Sequence, residues 1–394
     1  MKKCADRNSL RKLEKQFRPC CIGEKLPDSL QNDAYLNRRQ FLKTAGLVAA
    51  SAGTLSVLTG CAKVGQILTP TGRNRPNIIV IISDDLGYAD IGCYGCKDID
   101  TPNIDSIAKN GILFTNGYVS CPVCSPTRAG LMTGRYQQRF GHELNPGGDP
   151  ANGLPVTEIT IADVLKSAGY ITGAVGKWHL GMSPQFHPLK RGFDEFFGFL
   201  GGGHSYIDPG LDSTNPIIRD NQVVDEKEYL TDAFSREAVA FIQRHRDKPF
   251  FLYLAYNAVH TPMQAPERYR DGFKHITDST RRVYAGMLAA MDEGIGRVLD
   301  KLRELDLEKD TLLFFVSDNG GSAKNGSHNA PLRAHKGTIY EGGIRVPFLA
   351  QWPGRLKAGQ VYDHPVITLD VLPTAAAAAG AELPRDRVID GVNL

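Results

Sequence analysis

The chain has 394 residues, of which 42% are hydrophobic, enough for one large core or a core with a smaller second domain. Its net charge of +3 is unevenly distributed, because residues 1–60 hold 11 Lys and Arg against 5 Asp and Glu and leave the remainder mildly acidic. That remainder carries no basic stripe, which argues against nucleic acid as a partner.

The N-terminal region, 1–60, carries the pattern of an export signal. The pair Arg38-Arg39 precedes an uncharged run at 45–58, and paired arginines before such a run are typical of a twin-arginine signal. The run is too short to span a bilayer as a helix. It leads into Leu-Thr-Gly-Cys61, which resembles a bacterial lipoprotein cleavage box. We expect an exported periplasmic or cell-envelope protein whose Cys61 is a lipid anchor, or else a plain signal peptide that is cut nearby.

A polar linker is predicted at 61–75, and a regular alternation of strands and helices begins at residue 76. The predicted elements, in chain order, are strand 78–82, helix 103–109, strand 112–118, helix 159–168, strand 171–175, helix 231–246, strand 250–256, helix 279–305, strands 312–316 and 346–351, and helix 369–379. This alternation predicts an α/β fold in which helices cover both faces of a mainly parallel β-sheet. We expect one domain over 76–394, with a smaller C-terminal domain truncated.

Chemically reactive or charged side chains follow five of these strands. Ligands of open α/β sheets bind outside the carboxyl ends of the strands, so such side chains would share one edge. In strand order they are Asp84 and Asp85, then Cys124 and Arg128, then Lys177 and His179, then His260, and finally Asp318 and Asn319. Chance would scatter such residues over both edges, so the sequence predicts a functional site at this one.

The residue types at this edge fit one another. Asp84, Asp85, Asp318 and Asn319 offer oxygen ligands, which suit Ca²⁺ or Mg²⁺, whereas zinc would favour imidazole or thiolate. Each of these short runs taken alone would more often be a turn. A second group would add positive charge or hydrogen-bond donors: Arg128, Lys177, His179, His260 and Lys336. A divalent cation among cationic side chains is a cradle for a tetrahedral oxyanion, sulfate or phosphate.

The run Cys124-Ser-Pro-Thr-Arg128-Ala-Gly-Leu-Met-Thr-Gly134 resembles the signature of the type I sulfatases, C-x-P-x-R followed by a short helix. Further blocks over 75–394 are similar to that family. They are Pro76-Asn-Ile-Ile79, Asp84-Asp-Leu-Gly87, Thr101-Pro-Asn-Ile-Asp105, Gly176-Lys-Trp-His-Leu180, His260-Thr-Pro262, Ser317-Asp-Asn-Gly-Gly321 and Lys336-Gly337 with Glu341–Pro347. The resemblance implies an alkaline-phosphatase-like fold and hydrolysis of sulfate esters, with sulfated carbohydrates or smaller sulfate esters as substrates.

The resemblance also implies a role for each residue. A maturation enzyme would oxidise Cys124 to formylglycine, whose hydrate attacks sulfur. Ca²⁺, or Mg²⁺, would be held by Asp84, Asp85, Asp318, Asn319 and the residue at 124. Arg128 and Lys177 would stabilise the hydrate, and Lys336 would bind the sulfate. His179 would act as the base and His260 as the acid. Lys177, His260 and Lys336 would also bind substrate, together with His204 or its neighbour Ser205.

Two alternatives stay open at this point. A phosphate-ester hydrolase of the same superfamily would usually carry Ser or Thr as nucleophile and two metals held partly by histidines. The second alternative is not catalytic: Cys93-x-x-Cys96 and Cys121-x-x-Cys124 could form a zinc site or redox pairs, or an unmatured protein could bind sulfated ligands without cleaving them.

Overall fold

The computed structural model describes residues 75–394 apart from Gly148 and Pro150. The predicted export signal, the lipidation position Cys61 and nearly all of the predicted linker lie outside the described residues. No described helix is long and apolar enough to cross a membrane.

The α/β class predicted from the sequence is confirmed. The strands are β1 (Asn77–Ser83), β2 (Ile112–Phe114), β3 (Gly117–Tyr118), β4 (Ile171–Lys177), β5 (Glu195–Phe199), β6 (Ile218–Arg219), β7 (Gln222–Val223), β8 (Phe250–Ala255), β9 (Thr311–Ser317), β10 (Phe348–Gln351), β11 (Gln360–Tyr362) and β12 (Val366–Ile367). The α-helices are α1 (Pro102–Lys109), α2 (Cys124–Thr133), α3 (Ile161–Ser167), α4 (Leu230–Arg244), α5 (Glu267–Arg270), α6 (Ser279–Glu304), α7 (Glu341–Ile344) and α8 (Val371–Ala379).

Ten strands of the described region form one sheet, in the order β11-β2-β10-β9-β1-β8-β4-β5-β6-β7. The central strands β9, β1, β8, β4 and β5 run parallel, while β10 and β6 run against their neighbours. Four of the predicted strands, β1, β4, β8 and β9, therefore end at one edge, as predicted, and the unpredicted β5 ends there too.

Helices cover both faces because the strand residues are apolar on both sides. Every residue of β1 is buried, and its side chains alternate between two core clusters. Ile79 and Ile81 pack in one cluster with residues of α4 and α6, and Val80 packs in the other with residues of α2, α3 and α8. A continuous hydrophobic run is what a parallel strand that is buried on both faces requires.

The structure differs from the sequence prediction in the regions that flank the central strands. The predicted strand 112–118 is divided, since β2 joins the main sheet whereas β3 pairs with β12 in a separate two-stranded sheet. The predicted strand 346–351 begins only at Phe348 and runs antiparallel to β9. β5 was missed, and the glycine-rich run that follows it hides the strand pattern of Glu195–Phe199.

Two glycines let the strands beside the site approach one another closely. At Gly176, where φ is 112°, a β-carbon would lie 1.9 Å from the carbonyl oxygen of Ala255 on β8. At Gly198 on β5, a β-carbon would lie 1.9 Å from the carbonyl oxygen of Gly176. Neither obstacle can move, because both are backbone atoms in the sheet.

Gly176→Ala is therefore expected to lower the free energy of unfolding by at least about 2 kcal/mol, through backbone clash and positive φ. Gly272→Ala is the matched control, because a β-carbon there meets no atom within 4 Å. Chemical denaturation of both variants measures the difference. Equal stabilities for the two would contradict this packing.

Candidate active site

The register of two strands brings the first carboxylates together. Ser83 at the end of β1 lies opposite Ser317 at the end of β9. The next residue of each strand therefore projects from the same edge, and the amide of Asp318 donates to the carbonyl of Ser83 at 3.0 Å. The backbone of Asp84 is also tied to the residues after β8, with hydrogen bonds of 2.9 and 2.8 Å.

Asp85 and Asn319 complete the acidic part of the site. Asp85 has φ of 62°, and this left-handed turn lets its amide approach Asp318 Oδ1 at 3.4 Å. Asn319 Nδ2 donates to Asp85 Oδ1 at 2.8 Å. Asn319 Oδ1 is buried and has no hydrogen-bond partner among the described residues. An unpaired buried amide oxygen that lies beside carboxylates fits a metal ligand.

Cys124 is the first residue of α2, and all ten residues of that helix are buried. Its thiol lies 3.7 Å from Asp84 Oδ1, and Lys336 Nζ lies 3.1 Å from its Sγ. Only 1% of the side chain is exposed. The predicted signature thus places Cys124 at a helix N-terminus next to the carboxylates.

Three cations meet the three carboxylates. Lys177 Nζ lies 2.5 Å from Asp84 Oδ2. Arg128 donates through Nε and Nη2 to Asp318 Oδ2, at 3.0 and 2.8 Å. Lys336 Nζ contacts Asp85 Oδ1. We call these side chains the edge cluster: Asp84, Asp85, Cys124, Arg128, Lys177, Asp318 and Lys336.

The predicted histidines occupy different positions around the edge cluster. His179 is buried, has φ of 58°, and its Nδ1 has no hydrogen-bond partner among the described residues. His260 is partly exposed, and its Nε2 lies 3.9 Å from Asp85 Oδ2. The glycine run before His204 lies beside both rings: a β-carbon at Gly202 would lie 2.6 Å from His179 Nε2.

The described contacts of His204 are with residues outside the edge cluster. Its ring lies 5.0 Å from that of Phe199, and its Nδ1 lies 2.8 Å from the carbonyl of Ser205. The hydroxyl of Ser205 contacts Gln264 and Ile207. The buried His204 Nε2 has no partner among the described residues, so His204 is better placed than Ser205 to meet a ligand.

Burial and charge set the protonation states. Burial, together with Asp84 and Asp318, raises the pKa of the Cys124 thiol to about 12 against the opposing effect of Lys177. Burial, with the nearby Lys177 and Arg128, holds the pKa of His179 well below its usual range. Cys124 is therefore a protonated thiol, and thus a weak nucleophile, at neutral pH, and His179 is a neutral imidazole.

The edge cluster can surround a metal ion. Ligand atoms of Asp84, Asp85, Cys124 and His260 all lie within 4.8 Å of one another. His260 was predicted at this edge as an acid and substrate contact, not as a metal ligand, so its place within ligand distance adds an imidazole to the predicted all-oxygen set. Asp318 gives one oxygen to Arg128, and its other oxygen faces the amide of Asp85.

Sequence reasoning missed a polar network directly behind Cys124. The hydroxyl of Ser125 lies 2.5 Å from the carbonyl of His179 and 2.7 Å from Nε2 of the buried His142. This network ties the first turn of α2 to the backbone of His179. Ser125 stood inside the recognised signature, but no pattern in the sequence singled out His142.

The structure gives no support to the alternative of a zinc or redox site built from four cysteines. The four are free thiols: the amide of Cys93 donates to Asp105, and Cys96 Sγ lies 3.2 Å from Asp98 Oδ1. No metal-binding grouping among the described residues contains more than one cysteine.

Comparison with known proteins identifies the family of the chain. A family model described as Sulfatase matches residues 76–381. The chain belongs to the sulfatase family. Human N-acetylgalactosamine-6-sulfatase is 39% identical over 344 residues, which cover 81% of this chain and 65% of that protein. This sulfatase-family chain thus spans about two thirds of the length of that curated relative.

Solved structures share the fold. The crystal structure of Ps i-CgsB in complex with k-i-k-neocarrahexaose superposes with a TM-score of 0.79 and 46% sequence identity, covering 81% of this chain and 75% of that one. The PsFucS1 sulfatase from Pseudoalteromonas sp. gives a TM-score of 0.71 and 27% identity, covering 81% of this chain and 70% of that one. The α/β architecture and the family resemblance inferred from the sequence are both confirmed.

The buried, neutral His179 predicts a specific pH dependence of stability. Its folded pKa lies well below the unfolded value of 6.5, so the unfolded chain binds a proton that the folded chain does not as pH falls below about 6.5. Wild type should lose stability through this window by up to about 1.4 kcal/mol per pH unit more than His179→Gln.

Urea denaturation from neutral pH to about pH 5 measures this difference. The exposed His364→Gln serves as the control for substituting an imidazole. Parallel stability curves for wild type and His179→Gln would contradict a neutral, buried His179.

Proposed function

We propose that this chain hydrolyses sulfate esters of carbohydrates, with residue 124 as the attacking group after its oxidation to formylglycine. The observation that carries the proposal is the edge cluster, in which a buried Cys124 lies among three carboxylates and three cations. Family membership supports it. So do the names of the relatives, since one is an N-acetylgalactosamine-6-sulfatase and another was solved with k-i-k-neocarrahexaose.

The state of the encoded thiol supports a modified residue at position 124. A thiol whose pKa is about 12 is almost wholly protonated at neutral pH, and the thiolate is the reactive form of cysteine. The hydrate of formylglycine would supply two hydroxyls on one carbon, one to attack sulfur and one whose deprotonation expels sulfate. Because Cys124 is buried, a maturation enzyme would have to reach it before the site closes.

We further propose that Ca²⁺, with Mg²⁺ as an alternative, binds Asp84, Asp85, Asp318, Asn319 and residue 124. The unpaired Asn319 Oδ1 and the convergent carboxylates support this set. A bound divalent cation would act as a Lewis acid toward a sulfate oxygen. The charges of the three carboxylates and the three cationic side chains of the edge cluster cancel. A bound divalent metal ion would therefore give the site a net positive charge, which would attract an anionic ester.

The cationic side chains would bind the oxygens of residue 124 and of the sulfate. Arg128 and Lys177 are fixed by their carboxylate partners and would hold the oxygens of residue 124. Lys336 lies 3.1 Å from Cys124 Sγ, so its ammonium would contact a sulfate that is bound to residue 124. These fixed charges need no reorganisation as charge develops on the sulfate oxygens.

The two histidines suit opposite proton transfers. His179 is neutral and buried, so it can accept the proton whose removal from residue 124 expels sulfate. His260 is partly exposed at the opening, where it can donate a proton to the departing alcohol. Proton donation matters most for a sugar alcohol, because its alkoxide is a poor leaving group. His204 is proposed as a further substrate contact.

The N-terminal sequence signals support a proposal about where the protein acts in the cell. The paired Arg38-Arg39 supports export by the twin-arginine route, and the Leu-Thr-Gly-Cys61 run supports a lipid anchor in the cell envelope. Oxidation of Cys124 would then precede export.

Mass spectrometry of the peptide 118–135 tests the modification. We expect active protein to have lost the Cys124 thiol and gained an aldehyde, and Cys124→Ala to release no sulfate from sulfated sugars. Cys121→Ala is the matched control and should keep its activity, because its thiol lies outside the metal-binding group. Full activity with an unmodified Cys124 would overturn the mechanism, and a preference for phosphate esters would favour the superfamily alternative.

Removal of the metal tests the ligand set. Ca²⁺ should raise the free energy of unfolding of wild type by about 2.7 kcal/mol at a hundred times its Kd, and a chelator should abolish activity. Asn319→Leu should lose most of this response, whereas Asp292→Asn should keep it. Asp292 is a mostly buried carboxylate that accepts from backbone amides of α1, outside the edge cluster. Activity and stability that are both indifferent to the chelator would contradict the proposed metal.

A further inference from the structure

We propose that Arg333 and Tyr340 form a second anion-binding subsite, which takes a sulfate or carboxylate group on the sugar next to the reacting one. The inference rests on the proposed function, because it assigns part of the same substrate.

The pair belongs to a segment that closes over the reacting edge, here called the rim loop (321–343). The amide of Lys336 donates to Gly321 at 3.1 Å, and the amide of Gly337 donates to Pro122 at 2.8 Å. The rim loop therefore joins the end of β9 to the residues just before α2. Arg333 precedes Lys336 by three residues, so their α-carbons lie at most about 11 Å apart.

Tyr340 fixes the position of the Arg333 side chain. The guanidinium carbon lies 3.9 Å from the centre of the Tyr340 ring, and the amide of Gly342 donates to the carbonyl of Arg333 at 2.8 Å. Asn329 braces the same turn through two hydrogen bonds to Gly321, of 2.8 and 2.9 Å. A stacked, braced guanidinium loses little conformational entropy when it binds an anion.

The guanidinium of Arg333 has no carboxylate partner among the residues that the structure describes, although it is exposed. Two other exposed arginines do have one, since Arg139 pairs with Asp390 and Arg268 with Asp232. The hydrogen-bonding fork of Arg333 is therefore available to an external anion. Such a fork binds a carboxylate or a sulfate through two parallel hydrogen bonds.

The charge of the rim loop points to an anionic partner as well. The rim loop holds five basic side chains, Lys324, His328, Arg333, His335 and Lys336, and one acidic residue, Glu341, whose carboxylate pairs with Arg345 outside the loop. Because Lys336 reaches into the edge cluster, the other basic side chains of the same loop would lie near groups that flank the scissile sulfate. A glycan with charged groups on neighbouring sugars matches that pattern.

A solely structural role is the competing explanation, in which Arg333 and Tyr340 only hold the rim loop and hence Lys336 in place. The two roles predict different substrate dependence. A structural prop would affect every sulfate ester alike, whereas a subsite affects only those that carry the second anion.

The experiment compares kcat/KM for three matched sulfated disaccharides, in which the second sugar carries a sulfate, a carboxylate or a hydroxyl. Arg333→Ala should lose roughly five- to tenfold on the charged substrates that use the subsite, and nothing on the neutral one, since an exposed charge-assisted pair is screened by water. A loss confined to the sulfate or to the carboxylate supports the subsite and identifies its ligand.

Arg355→Ala is the matched control. Arg355 is also exposed and lies over an aromatic ring, that of Trp352, whose Nε1 donates to Lys309 just before β9. This pair is at the opposite edge of the sheet, so its loss removes the same charge without touching the rim loop.

Equal losses on all three substrates, or no loss on any, would overturn the subsite. Calorimetric binding of the same sugars to Cys124→Ala, with and without Arg333→Ala, repeats the comparison without hydrolysis. The proposed function fails separately, if wild type releases no sulfate from any sugar, while the subsite fails if Arg333 makes no difference to binding or turnover of charged sugars.

Discussion

The in-register pairing of β1 with β9 is the constraint on which the site depends. It sets Asp84 and Asp318 side by side, and the left-handed turn at Asp85 adds a third carboxylate. Taking each such charge out of water costs several kcal/mol unless it is paired. The compensating cations are Arg128 of α2, Lys177 at the end of β4 and Lys336 of the rim loop. Each of them neutralises a carboxylate that the β1–β9 pair positions.

The same arrangement explains why the thiol of the encoded Cys124 is a weak nucleophile. Burial and neighbouring carboxylates keep its thiol protonated, and the lysines around it do not reverse the effect. The site holds candidate metal ligands and fixed cations but keeps the thiol protonated. It therefore suits an oxygen nucleophile at position 124 better than a thiolate. The geometry and the electrostatics, together with membership of the sulfatase family, therefore support the proposed reaction class, the hydrolysis of an anionic ester.

Much of this could be predicted from the sequence. Continuous apolar runs predicted the central strands, and the rule that ligands gather at strand ends correctly assigned Asp84, Lys177 and Asp318 to one edge of the sheet. The rest depends on tertiary pairing that no local pattern encodes. The division of 112–118 follows from separate partner strands, and the His142–Ser125 contact joins a loop to a helix terminus. The orientation of His204 toward Phe199 likewise follows from packing.

The central claim requires attack at sulfur, and hydrolysis of a sulfated oligosaccharide in ¹⁸O-labelled water tests this most directly. Attack at sulfur leaves the ester oxygen on the sugar. The account therefore predicts label in the released sulfate, from the exchangeable oxygens of the hydrated residue, and none in the sugar hydroxyl. Label in the sugar hydroxyl would show cleavage of the carbon–oxygen bond and would contradict the role assigned to Cys124 and the edge cluster.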